Sequence, residues 1–256
     1  MSVLSSEFQL KSRENYDIFG IHTRPLKGSK KCVILCHGTC SNMNECNNAY
    51  VYLAKALAEA GYGVLRFDFI GCGKSEVDYI HYTLRSAVSD TQDVMRYAQS
   101  LGYEILHLLG WSQGGTVVLL SADDRITSLI TLAGASDLSI MVQKEKYQLA
   151  KQHGYHWYDP GYTKPVRLSK EWYEDVLSID VLKEYEKHSI PTLAIHGLQD
   201  NIVDPKYSTE IIKASHHPDS KVVLIEHANH IFNLLDEEYR TFDIVVKETL
   251  DWLNAY

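Results

Sequence analysis

The 256-residue sequence predicts an α/β protein with a mostly parallel sheet and helices on both faces. Three observations predict it. Short apolar runs alternate with helical stripes along most of the chain. Gly-Trp-Ser-Gln-Gly at 110–114 stands between a strand pattern and a helix pattern. A carboxylate and then a histidine follow at the ends of two later strands.

Taken in order, 7–11 and 16–23 read as an opening antiparallel hairpin. Strands follow at about 32–36, 63–68, 104–109, 128–132, 191–196 and 221–225, which makes a sheet of eight. Ala49, Tyr50, Tyr52, Leu53 and Leu57 form a helical stripe that ends at Gly61. A helix over 85–100 ends at Gly102, and helices over 205–215 and 237–255 complete the layer. Between 136 and 186 the alternation stops. No strand is expected there, only a polar stretch rich in Tyr and Trp. An insertion at this point hangs over the carboxyl ends of the strands, so it is expected to be a cap within a single domain spanning 1–256. Gln143, Tyr155, Trp157 and Tyr173 are its candidate substrate-binding residues, because aromatic side chains there can wall a pocket.

Ser112 is the candidate nucleophile. The flanking glycines allow strand and helix to approach closely around a serine held in a strained conformation. Its hydroxyl then points at a helix N-terminus, where main-chain amides stabilise negative charge. Asp200 is the candidate acid, on the loop after the strand that ends at Gly197. Asp204 is its rival and reads better as a helix N-cap followed by Pro205. His230 is the candidate base. His227 competes, but it stands nearer the preceding strand, whereas His230 lies deeper in its loop before the apolar pair Ile231 and Phe232. The oxyanion donors are expected to be the main-chain N–H groups of Gln113, next after the serine, and Thr39, in the loop after strand 32–36. His37 is read as a structural brace of that loop.

With these residues in place the chain resembles the α/β-hydrolase fold family over nearly its whole length. His37-Gly38 opens the oxyanion loop, and Asp68-Phe69-Ile70-Gly71-Cys72-Gly73-Lys74-Ser75 matches the family's Asp-x-x-Gly-x-Gly-x-Ser turn. Residues 110–114 match its nucleophile elbow, 197–203 its acid loop, and His230 its histidine loop. Asn229 and His227 depart from the small, Gly or Asp residues common in that last loop. Within the family the chain is most similar to bacterial cinnamoyl and feruloyl esterases, and the match extends to other small acyl-ester hydrolases and monoglyceride lipases. The resemblance implies a serine esterase that works through an acyl-enzyme, with no cofactor and no metal. It also implies that Gln143 or a cap tyrosine could bond a phenolic hydroxyl. A thioesterase or acyltransferase would use the same triad, as would a monoacylglycerol lipase. A non-catalytic ligand-binding relative is the remote alternative.

Bulk properties narrow the partners. The net charge of −8 disfavours nucleic acid and anionic membranes and favours neutral or cationic ligands; a small-molecule ester is the partner that the resemblance implies. The first seven residues carry neither a basic head nor an apolar stretch, so a cytoplasmic enzyme is expected. Oligomeric state is left open, with a homodimer as one option. Five cysteines, at 32, 36, 40, 46 and 72, are an odd number without knuckle spacing, which argues for free thiols rather than disulfides or zinc. Cys40 and Cys72 are expected near the cleft and open to oxidation. Gly73-Lys74-Ser75 is not a phosphate loop, because Asp68 occupies the leading glycine position. Likewise Glu76 stands where a dinucleotide fingerprint needs its third glycine.

Overall fold

The computed structural model describes residues 3–237 and 239–256. Strands β1 (Val3–Lys11) and β2 (Asp17–Pro25) form the predicted hairpin, with Val3 opposite Pro25 and Lys11 opposite Asp17. Then come β3 (Lys31–Cys36), α1 (Ala49–Glu59), β4 (Gly63–Phe67), α2 (Leu84–Ser100), β5 (Ile105–Trp111), α3 (Gln113–Leu120) and β6 (Ile126–Leu132). The segment that follows holds α4 (Lys144–His153), β7 (Tyr155–Tyr158), β8 (Val166–Ser169), α5 (Lys170–Ser178) and α6 (Val181–Tyr185). The chain closes with β9 (Thr192–Gly197), α7 (Lys206–Ala214), β10 (Lys221–Ile225) and α8 (Phe242–Leu253).

Eight strands form one sheet in the order β1-β2-β4-β3-β5-β6-β9-β10. Pairing is antiparallel from β1 through β4 and parallel from β4 to β10. The central strands are buried along nearly their full length, which is why they read as unbroken apolar runs rather than alternating ones. One face is covered by α1 and α8, which pack Tyr50, Leu53, Leu57, Phe242 and Val245 against it. The other face packs against Val94 and Met95 of α2, Val117 and Val118 of α3, and Ile211 of α7. The start of α2 is fixed by a capping box. Thr83 Oγ1 accepts the Ser86 N–H, and Ser86 Oγ accepts the Thr83 N–H.

Two expectations need correction. The segment at 136–186 is not strandless, because β7 and β8 pair antiparallel from Tyr155 opposite Ser169 to Tyr158 opposite Val166. Each strand has four residues, too few to show a period of two. The turn signal was nevertheless present at Asp159-Pro160-Gly161, where Asp159 Oδ1 accepts the Gly161 N–H at 2.9 Å. The helix expected over 237–255 begins only at Phe242. Residues ahead of it make turns, with Phe232 and Asn233 in left-handed conformations. Position 238 of that expectation lies outside the described residues, as do positions 1 and 2 of the N-terminal stretch. Among the described residues no helix is long and apolar enough to cross a membrane.

Candidate active site

Strand β5 runs straight into α3 with Ser112 alone between them. Ser112 has φ 54° and ψ −122°, a conformation that an L-residue adopts only when its surroundings enforce it. The enforcement is visible. Ser112 N–H donates to the Leu132 carbonyl at 2.8 Å, and Gly115 N–H donates to the Ser112 carbonyl at 2.9 Å. A Cβ on Gly110 would stand 2.1 Å from the Gly114 carbonyl oxygen, and one on Gly114 would stand 2.2 Å from that of Cys36. Only glycine lets α3 sit this close to β3 and β5.

The three predicted triad residues meet. His230 Nε2 lies 3.1 Å from Ser112 Oγ, and His230 Nδ1 lies 2.7 Å from Asp200 Oδ2. The second contact fixes the proton on Nδ1 and leaves Nε2 to accept from the serine. Burial alone would raise the Asp200 carboxyl. Donated bonds from His196 and His230, with main-chain support from Val203, outweigh that and hold it well below the usual carboxylate range. Asp200 therefore stays charged opposite the imidazole. The rivals lie elsewhere. Asp204 accepts the Lys206 N–H at 2.9 Å just ahead of α7, whose N-cap position is Pro205 rather than the expected Asp204, and His227 is 79% exposed beside Glu226.

The histidine loop is held from two sides. Trp111, next to Ser112, donates its indole N–H to the His230 carbonyl at 3.2 Å. Asn229 and Asn233 bond reciprocally: Asn229 N–H donates to Asn233 Oδ1, and Asn233 N–H to Asn229 Oδ1. The asparagine that departs from the family pattern thus builds its own closure of the loop.

On the other side of Ser112 lies the turn at 38–41, closed by Ser41 N–H donating to the Gly38 carbonyl at 3.2 Å. Thr39 is its second residue, and Cys40 its third at φ 51°. Among the described residues no hydrogen bond claims the main-chain N–H of Thr39 or of Gln113, so both remain free to hold an oxyanion. His37 braces the turn as expected. Its Nε2 accepts the Phe69 N–H at 3.2 Å, so Nδ1 carries the hydrogen and donates to the Gly38 carbonyl at 2.9 Å. Sequence reasoning overlooked Glu45. Its carboxylate accepts from Gly38 N–H, from Ser41 Oγ and from Cys46 N–H, spanning both ends of the turn.

A cavity of about 930 Å³ opens over Ser112 and His230. Of the four cap residues expected to bind substrate, it takes in only Trp157. Gln143 and Tyr173 line a separate cavity of about 330 Å³, which Trp157 also borders. Tyr155 lines neither; it packs edge-on to Trp157 and beneath Arg167. The cap instead supplies Tyr162 and residues 163–167 to the serine's cavity. Cys40 and Cys72 line it as expected, but burial pushes Cys40 up to about 11 and Cys72 well above its ordinary value. Both are thiols near neutral pH, and a thiol oxidises more slowly than a thiolate. All five cysteines are free.

A family model described as alpha/beta hydrolase fold matches residues 31–159, half of the chain. The chain belongs to the α/β-hydrolase fold family. It is similar to the mitochondrial palmitoyl-protein thioesterase ABHD10 of Rattus norvegicus, at 24% identity over 225 residues, covering 80% of this chain and 70% of that one. Est1E of Butyrivibrio proteoclasticus, solved with ferulic acid bound, superposes with a TM-score of 0.78 at 23% identity, covering 97% of this chain and all of that one. Mouse ABHD10 superposes with a TM-score of 0.76 at 19% identity, covering 98% and 99%. At these identities the solved structures establish the shared fold, and the chemistry of this α/β-hydrolase rests on its own residues.

Proposed function

We propose that this α/β-hydrolase is a serine ester hydrolase. The observation that carries the reading is the continuous path from Ser112 Oγ through His230 to Asp200, at 3.1 and 2.7 Å. His230 takes the serine proton as Oγ attacks the carbonyl, and Asp200 stabilises the imidazolium that forms. The Thr39 and Gln113 N–H groups hold the oxyanion. His230 then protonates the departing alcohol, and water activated by the same histidine releases the acid. The chemistry calls for no cofactor. A small-molecule ester is the partner, in a cytoplasmic setting.

The preferred acyl group is small or hydroxycinnamoyl. Support comes from the aromatic cap residues Trp157 and Tyr162 in the cavity and from the likeness to Est1E, solved with ferulic acid. A thioester reading has its own support in the ABHD10 thioesterases, which share most of this chain's length. The deciding experiment compares methyl ferulate, p-nitrophenyl esters from acetate to decanoate, and S-acyl cysteine peptides, with Ser112→Ala beside the parent. Ferulate turnover that vanishes in the variant is the expected result. Faster S-acyl turnover moves the reading to a thioesterase. Turnover that survives in Ser112→Ala overturns the assignment of the nucleophile.

A further inference from the structure

Asp200 is held by more groups than a triad acid requires. Its Oδ1 accepts the Ile202 and Val203 N–H groups at 2.8 and 2.9 Å. Its Oδ2 accepts His230 from the front at 2.7 Å and a second histidine, His196 Nε2, from behind at 3.0 Å. His196 is the fifth residue of β9 and completely buried. Its tautomer follows from its neighbours. Nε2 faces two acceptors, the Asp200 carboxylate and the Val203 carbonyl at 2.9 Å, so Nε2 carries the hydrogen. In the neutral ring Nδ1 then accepts from the buried Ser208 hydroxyl of α7 at 2.7 Å.

We propose that His196 is a positioning residue for the triad acid: its Nε2–H fixes the Asp200 carboxylate from behind and limits how tightly Asp200 holds a proton on His230. The inference rests on the reading of Ser112, His230 and Asp200 as a triad. A carboxylate on a loop can turn about its Cβ–Cγ bond. Four donors in fixed directions prevent that and keep Oδ2 aimed at His230. Two imidazole N–H groups on one oxygen also divide its negative charge. Without the rear donor, that oxygen pulls harder on the His230 imidazolium. The titratable groups that act on Asp200 are His196 from β9 and His230 from the loop after β10. Helix α7 reaches the cluster through the uncharged Ser208, and β5 reaches His230 through the Trp111 indole.

The test is the pH dependence of kcat/KM for the parent, His196→Leu and His196→Gln, with active enzyme counted by fluorophosphonate titration of Ser112. In His196→Leu the acid limb should move upward by roughly half to one pH unit, with kcat lowered and KM unchanged. His196→Gln can place an amide N–H where Nε2 stood, so its limb should stay at the parental pH. An unmoved limb in His196→Leu, with only a lowered melting temperature, overturns the proposal and leaves His196 as packing. If His196→Leu does not fold, Ser208→Ala frees the ring to turn from Asp200, and its limb should rise by a smaller amount. No movement there overturns the proposal equally. A parent that fluorophosphonate does not label at Ser112 removes the triad reading itself, before any His196 variant is compared.

Discussion

The Tyr162 hydroxyl donates to the Thr39 carbonyl at 2.5 Å, joining the loop between β7 and β8 to the turn at 38–41 beside Ser112. The segment over Ser112 is thereby bonded to the candidate site, not merely laid over it. Tyr162→Phe removes this bond and keeps the ring. We expect kcat/KM to fall by roughly 3- to 10-fold, the equivalent of about one neutral hydrogen bond, with the melting temperature nearly unchanged. Steady-state kinetics beside a thermal melt checks this.

Glu45 braces the same turn from within. Glu45→Ala leaves the Gly38 N–H and the Cys46 N–H without their acceptor. Removing an oxyanion donor outright costs about 10²- to 10³-fold in kcat, and loosening one should cost less. The expected outcome is a loss in kcat of about 10- to 100-fold, KM changing little, and weaker binding of a trifluoromethyl ketone in proportion. Equal ketone affinity in parent and variant would contradict a role in the oxyanion turn.

The two candidate acids can be told apart by one pair of substitutions. Asp200→Asn should cost about 10³- to 10⁴-fold in kcat, because the amide no longer fixes the His230 tautomer. Asp204→Asn should leave activity intact, and stability should change by less than about 1 kcal/mol because the asparagine carbonyl can still accept the Lys206 N–H. Matched kinetics and melts of both variants decide.

Much of this was legible in the sequence, for reasons that differ by region. The central strands announced themselves because burial on both faces demands unbroken apolar runs. The meeting of Ser112, Asp200 and His230 was legible because a hydrolytic triad needs those residue types at fixed places after strands. The cap was not. Its tyrosines and tryptophans are required by packing as much as by recognition, so composition said nothing of whether Tyr173 faces the serine or a second cavity. His196 drew no reading of its own, since it sits inside the apolar strand pattern that ends at Gly197. Its spacing of four before Asp200 was the available signal, but in a chain of twelve histidines that spacing needs a structure to give it meaning.

Asp90 ties stability to pH. It is wholly buried, accepts from the Tyr16 hydroxyl and from the Ile70 N–H, and burial pushes it up to about 7. The folded chain therefore keeps a proton there that the unfolded chain releases above about 4. Stability from this group is full below that value and is lost as pH rises toward 7. We expect the parent's melting temperature to drop by a few degrees between pH 5 and 8, and the drop to shrink in Asp90→Asn. A drop of equal size in the variant would assign the effect to other groups.

The elbow predicts a stability phenotype. In Gly114→Ala the new methyl meets main-chain oxygens of β3 and the residue after it, at 2.2 Å from Cys36 and 2.6 Å from His37, and these cannot swing aside. Destabilisation of about 3 kcal/mol or more is expected, measured by urea unfolding. A variant as stable as its parent would mean that α3 can shift outward without cost.

Strands β6 and β9 lie side by side, Leu129 beside Thr192 and Leu132 beside Ile195, although the whole cap intervenes between them in the chain. Ser112, Gln113 and Thr39 precede that interruption; Asp200 and His230 follow it. The molecule is thus a two-part device written on one thread. What reacts is held by a ladder that never notices the detour, and the detour adds Trp157, Tyr162 and residues 163–167 to the walls that decide what is admitted. Lengthening or replacing the 159–165 loop with Tyr162 kept in place should retune selectivity while the Tyr162–Thr39 bond survives, and a cut there should leave two pieces that still find each other through the sheet.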